Sequence, residues 1–139
     1  YANQESATAA LLDENGWLHT RDMGYIDEDG YVYLVGRKDD IIIRGGENIA
    51  PAEIEAVLHA HPAVDEAAII GAPDDDFGQK IVAFVAIKKG QTANSEDISS
   101  FCKERLSSFK KPEEIHFLEE LPKNPLGKVL KKELKARYE

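Results

Sequence analysis

The spacing of apolar and polar residues changes several times along this chain, and each change predicts an element. Residues 1–12 are polar and alanine-rich and predict none. Met23-Gly24-Tyr25-Ile26 and Tyr31-Val32-Tyr33-Leu34-Val35 are strand-type runs either side of Asp27-Glu28-Asp29-Gly30, which predicts a β-hairpin. Gly36-Arg37-Lys38-Asp39-Asp40 then breaks the apolar pattern with charge and marks a boundary. Beyond it, Ile41-Ile42-Ile43 has the composition of a short buried strand closed by Gly45-Gly46. Pro51 suits the first turn of a helix, and Ile54, Val57 and Leu58 follow at helical spacing until His61-Pro62 ends it. Apolar runs at 64–70 and 81–87 read as strands around the acidic loop Pro73-Asp74-Asp75-Asp76. Asn94 or Ser95 caps a second helix with Ile98, Phe101, Cys102 and Leu106 on its apolar face. Ile115-His116-Phe117-Leu118 predicts a further short strand, and a last helix carries Val129, Leu130 and Leu134. This order predicts an α+β fold, a small mixed β-sheet flanked by helices and preceded by a β-hairpin.

Composition narrows the function. A chain of 139 residues with 42% hydrophobic positions supports one core of ordinary size. Its formal charge of -9 makes the surface repel nucleic acid, so no nucleic-acid partner is expected. The single cysteine, Cys102, sits where an apolar residue is expected, which excludes a disulfide framework and fits a reducing, cytoplasmic setting. No apolar run has the length of a transmembrane helix. The four histidines lack metal-ligand spacing and Asp74-Asp75-Asp76 reads as a solvated loop, so no metal ligands are expected in this chain. The chain begins at Tyr1 and its only methionine is Met23, so it is expected to be a piece of a longer protein.

The candidate chemistry concentrates on one lysine. Lys128 stands in Pro122-Lys123-Asn124-Pro125-Leu126-Gly127-Lys128, where two prolines stiffen the chain and Gly127 is free to take positive φ. Such a loop presents a cation at a defined place, as phosphate chemistry requires. On its own the residue reads as a solvated lysine, as its neighbours Lys123, Lys131 and Lys132 are expected to be.

Three blocks in this order resemble the adenylate-forming enzymes, the superfamily of acyl-CoA synthetases, luciferases and peptide-synthetase adenylation domains. They are Gly16-Trp17-Leu18-His19-Thr20-Arg21-Asp22-Met23-Gly24 leading to Gly30-Tyr31-Val32-Tyr33-Leu34-Val35-Gly36-Arg37, then residues 36–49 with Gly45-Gly46-Glu47-Asn48-Ile49, then the loop from Pro122 to Lys128. The resemblance implies a C-terminal part of an AMP-forming acid-thiol ligase. Residues 1–36 would be the tail of a missing large N-terminal domain, 37–40 a hinge and 41–139 a mobile lid. It implies a carboxylic acid, ATP with Mg2+ and CoA as reactants, and a fragment that is inactive alone.

The resemblance also implies roles. Lys128 would bridge the carboxylate and the α-phosphate, where negative charge from both partners converges. Asp22 would accept from the ribose hydroxyls and Arg37 would approach the ribose and phosphates. Without the resemblance, Asp22 is a turn-capping aspartate and Arg37 a surface arginine paired with Asp39 or Asp40. Asp39 would be the hinge, and Gly45 and Gly46 would line the path of the CoA pantetheine chain. Lys111, beside Phe109, would meet a CoA phosphate, unless it is a lysine placed to suit a helix C-terminus. The Gly-Gly-Glu-Asn form favours CoA over a carrier protein as acceptor. Two alternatives stand beside this reading, an adenylation domain feeding a carrier protein and a non-enzymatic module whose acidic surface binds a basic partner.

Overall fold

The computed structural model describes residues 8, 9 and 11–138. The rest of the expected 1–36 segment, residues 1–7 and 10, lies outside them. The chain folds as two compact units, one ending at Asp39 and the other starting at Asp40.

The first unit is built on an antiparallel hairpin of β1 (Asp22–Ile26) and β2 (Val32–Arg37). Its turn is set by Asp27, whose side chain accepts from the backbone N–H groups of Asp29 and Tyr31 while Gly30 sits at φ +87°. Tyr25 and Tyr33 stack across the strands with centroids 5.1 Å apart. A bulge between Met23 and Gly24 shifts the register. A Cβ on Gly24 would lie 2.4 Å from the Tyr33 carbonyl oxygen, so only glycine fits. A 3-10 turn, Lys38–Asp40, follows β2.

The second unit begins with a short hairpin, β3 (Ile42–Arg44) and β4 (Glu47–Ile49), joined by Gly45 and Gly46. The sequence pattern did not predict β4, because two of its three residues are polar and only pairing with β3 makes it a strand. Helix α1 (Pro51–His59) follows, then β5 (Val64–Asp74), β6 (Gly78–Ile87), α2 (Ser95–Arg105), β7 (Glu114–Phe117) and α3 (Lys131–Tyr138). Asn94 caps α2 in a reciprocal capping box with Asp97. The main sheet runs β5-β6-β7, with β5 and β6 antiparallel and β6 and β7 parallel, so the expected mixed sheet flanked by helices is the one observed.

Both faces of β5 and β6 are buried. Ala67, Ile69, Ile81, Ala83 and Val85 pack against α1 and α2 through Ile54, Leu58, Ile98 and Cys102. The alternate residues Ala68, Ile70, Ala72, Val82 and Phe84 pack on the opposite side against Leu121 and Leu134. Val129 and Leu130 precede α3 rather than forming part of it. Val129 bridges to Lys123 and the Leu130 N–H donates to the Pro122 carbonyl, so the apolar spacing that suggested a longer helix belongs to a loop returning on itself.

The C-terminus of α3 is tied to the sheet by charge. Glu114 accepts from Lys80 Nζ at 2.6 Å and from the Tyr138 hydroxyl at 3.0 Å, with His116 Nε2 at 3.2 Å. The Lys80 ammonium, ahead of the His116 and Tyr138 donors, lowers the Glu114 carboxyl to about 2 from the 4.5 of a free glutamate. A carboxyl depressed on folding stabilises the fold fully above 4.5 and loses that contribution as pH falls toward 2. Urea unfolding of this chain between pH 6 and pH 2 is expected to show falling stability with acid, and Glu114→Gln should reduce the slope; an unchanged slope in that variant would contradict the assignment.

Candidate functional site

Residues predicted for the site fall in both units. Asp22, Arg37 and Asp39 belong to the first, and Gly45, Gly46, Lys111 and Lys128 to the second. In the first unit, Asp22 and Arg37 are cross-strand partners at the open end of the hairpin, with Arg37 Nη1 3.3 Å from Asp22 Oδ1. Arg37 therefore pairs with Asp22, not with the Asp39 or Asp40 expected from sequence proximity. Arg21 takes the place of that pair: its Nη1 donates to Asp39 Oδ2 at 2.8 Å. Arg21 holds φ +63°, rare outside glycine, and its carbonyl accepts from the Lys38 N–H at 2.8 Å. Asp22 and Asp39 line an open cleft of about 530 Å³ together with His19, Thr20, Arg21 and Lys38. Basic and acidic side chains alternate around it, so it offers both acceptors for hydroxyls and cations for phosphate.

In the second unit Gly45 and Gly46 form the two-residue turn of the β3–β4 hairpin, at φ +55° and +84°. Two successive positive values define a turn that glycine adopts without strain. A Cβ on Gly45 would also lie 3.2 Å from Phe109 Cζ. Arg44, which sequence reasoning missed, fixes this turn. Its buried guanidinium lies between the rings of Phe77 and Phe109, 5.2 and 5.0 Å from their centroids. It donates to the Phe109 carbonyl at 3.0 Å and pairs with Glu113 at 3.1 Å, leaving Nε without a partner. No local pattern signals this arrangement, since its aromatic partners come from distant segments. Phe109 lies in a 3-10 turn, Ser108–Lys110, immediately before Lys111. Lys110 is committed to Glu53 at 2.7 Å, whereas no carboxylate among the described residues pairs with Lys111.

Lys128 closes a five-residue turn. Asn124 Oδ1 accepts from the N–H groups of Leu126 and Lys128 at 3.0 and 2.9 Å, Gly127 N–H donates to the Asn124 carbonyl, and Gly127 holds φ +79°. Pro125 supplies the fixed φ of the first central position. The same turn occurs twice in the first unit, around Asp13 with Gly16 and Trp17 and around Asp27 with Gly30 and Tyr31. Turn geometry alone therefore does not mark function. The third copy differs in its charge: the acceptor is a neutral amide and the residue after glycine is a cation.

Of the neighbouring lysines, Lys132 is exposed as expected, but Lys123 and Lys131 are not free in solvent. Lys123 pairs with Glu66, which raises the Lys123 ammonium above the ordinary lysine value, and Lys131 pairs with Glu55 at 2.7 Å. Among the described residues no carboxylate pairs with Lys128, which is exposed. Nor do three or more His, Cys, Asp or Glu side chains among those residues gather into a metal site.

The chain matches a known family in sequence and fold. The AMP-binding enzyme C-terminal domain model fits residues 53–128, and the chain belongs to that family. The 2-succinylbenzoate–CoA ligase of Bacillus cereus (strain Q1) is 50% identical over 139 residues, all of this chain and 28% of the ligase. The structure of o-succinylbenzoate CoA synthetase (MenE) from Bacillus subtilis with the acyl-adenylate intermediate OSB-AMP superposes with a TM-score of 0.86 at 43% identity, over 96% of this chain and 27% of that one. ATP-bound MatB from Rhodopseudomonas palustris superposes with a TM-score of 0.87 at 38% identity, over 98% of this chain and 27% of that one. The chain thus spans little more than a quarter of the length of these relatives.

The turn analysis yields a stability prediction. Asn124→Asp should keep the melting temperature, because aspartate makes this turn at Asp13 and Asp27. Asn124→Ala removes two side-chain acceptor contacts and should cost about 1 kcal/mol in chemical denaturation. Equal stability of all three proteins would show that the side chain does not hold the turn.

Proposed function

We propose that this chain is the C-terminal part of an AMP-forming acid-thiol ligase. In its first half-reaction a substrate carboxylate oxygen attacks the α-phosphorus of ATP, the bond to the β,γ-phosphates breaks and pyrophosphate leaves, giving an acyl-adenylate. In the second, the CoA thiolate attacks the acyl carbon and AMP departs. The observation that carries this reading is that among the described residues no carboxylate pairs with Lys128, whereas Lys123 and Lys131 on either side of it each have one, and that its turn has a neutral Asn124 acceptor. A single mobile ammonium suits a step in which two anions must approach each other.

Asp22 accepts from the ribose hydroxyls, and Arg37, paired with it, adds positive charge toward the phosphates. Asp39 is the hinge. The division of the chain between Asp39 and Asp40 supports this, as does its ion pair with Arg21, a contact that rotation can exchange for another. Gly45 and Gly46 form the wall past which the CoA pantetheine chain runs in the second half-reaction, and Lys111 takes a CoA phosphate. The bare glycine turn packed beside Phe109 supports CoA rather than a carrier protein as acceptor.

The large N-terminal domain is a partner of this chain. The hairpin supports this by exposing Ile26, Tyr31, Val32 and Leu34, a larger apolar surface than two strands can shelter. That domain binds the acid, and magnesium accompanying ATP takes its protein ligands there. A reduced, buried Cys102 fits a cytoplasmic location.

Lys128→Ala in the full-length protein should lower carboxylate-dependent ATP–pyrophosphate exchange by about two orders of magnitude or more, the scale of losing one transition-state donor. Thioester formation from supplied acyl-adenylate should persist. Unchanged exchange would overturn the assignment, and a competition between CoA and a phosphopantetheinyl carrier would decide the acceptor.

A further inference from the structure

The Lys128 loop is anchored at both ends by buried apolar residues and by charge. Leu121 and Leu134, 2% and 0% exposed, fix the segments before and after it on one face of the sheet. Between them, Lys123 and Val129 bridge across the base of the loop, so fixing Lys123 also fixes the segment that leads out of Lys128.

Two carboxylates complete this anchorage. Glu66 lies on β5, on the same face as Ala68 and Ile70, where it pairs with Lys123 and accepts from the Leu121 N–H at 3.4 Å. Glu55 lies on α1, which packs on the opposite face. It accepts from the Ile69 N–H at 2.9 Å, a donor on the edge strand β5, and reaches Lys131 at the first turn of α3. A lysine there opposes the helix dipole, so a counter-charge matters at that position. In each of these pairs neither side chain is more than 27% exposed, which holds for no other ion pair among the described residues. Such pairs are less screened than surface ones and restrain geometry accordingly.

We infer that Glu55 and Glu66 are positioning residues for Lys128: they neutralise and pin Lys123 and Lys131, so that neither competes with the Lys128 ammonium for the reacting phosphate. This rests on the role of Lys128 proposed above. Without Glu66 and Glu55, Lys123 and Lys131 would compete for the same anion, and both ends of the loop would gain freedom.

The test uses Glu55→Gln and Glu66→Gln in the full-length protein, because glutamine keeps an acceptor for the Ile69 or Leu121 amide while removing the charge. Each should lower kcat for ATP–pyrophosphate exchange about tenfold or more, as expected for a misplaced reacting group, with little change in KM for ATP. Thioester formation from supplied acyl-adenylate should be retained, and amide exchange of residues 126–130 should quicken. Lys131→Arg, which keeps the pair with Glu55, should retain exchange activity, whereas Lys131→Gln, which loses the anchor but frees no competing ammonium, should lower it less than Glu55→Gln does. Full exchange activity in both glutamate variants, beside a Lys128→Ala protein that has lost it, overturns this inference and leaves the Lys128 assignment standing. Full activity in Lys128→Ala overturns both. Loss of both half-reactions together in the glutamate variants also overturns it, because positioning of Lys128 concerns only the first.

Discussion

The constraint on which the second unit depends is the double-sided burial of β5 and β6. Two long antiparallel strands with small and β-branched residues on both faces need cover on both, and the chain supplies it unevenly. One face receives α1, α2 and the β3–β4 hairpin. The other receives α3 and the segment at Leu121, which are too short to close a core by themselves. Leu121 and Leu134 are buried on this face, and residues 125–128 of the loop between them, Leu126 included, stay exposed. The place of Lys128 is thus a consequence of sheet coverage.

Charge then decides which groups remain available. A chain of net charge -9 has an excess of carboxylates with which to occupy its lysines, and around this loop the two flanking cations are occupied while the central one is not. The turn itself supplies no carboxylate, since its acceptor is Asn124 where the two equivalent turns use aspartate. At Asp13 and Asp27 the backbone donors, led by the N–H groups of Trp17 and Tyr31, hold the carboxyl below its ordinary value and hence charged. Such a charge beside Lys128 would oppose an approaching phosphate. The other candidate groups show the same economy: Lys110 is held by Glu53 and leaves Lys111, and Arg21 holds Asp39 while Arg37 turns to Asp22.

Much of this fold was legible where a period is local. The 64–70 and 81–87 runs, the Pro51 start of α1 and the Asn94 cap each state their structure within a few residues. The structure departs from the sequence pattern where pairing is not local. Glu47-Asn48-Ile49 becomes a strand through β3 alone, and Val129 joins Lys123 in place of extending a helix that its spacing with Leu134 suggested. The ion pairs of Lys123 and Lys131, and the stacking of Arg44 between Phe77 and Phe109, join segments far apart in the chain. The roles expected of Lys128, Asp22 and Gly45-Gly46 came from the family resemblance of their motifs, but which cations stay free is a property of the folded molecule.

The central claim, that Lys128, unlike Lys123 and Lys131, is free to meet an anion held elsewhere in the protein, is tested most directly by amine-specific labelling of the full-length protein with and without a non-reactive acyl-adenylate analogue. Lys128 should label quickly in the free protein and become protected with the analogue, while Lys123 and Lys131 label slowly in both states. Equal labelling of the three lysines, or a Lys128 rate indifferent to the analogue, would contradict it.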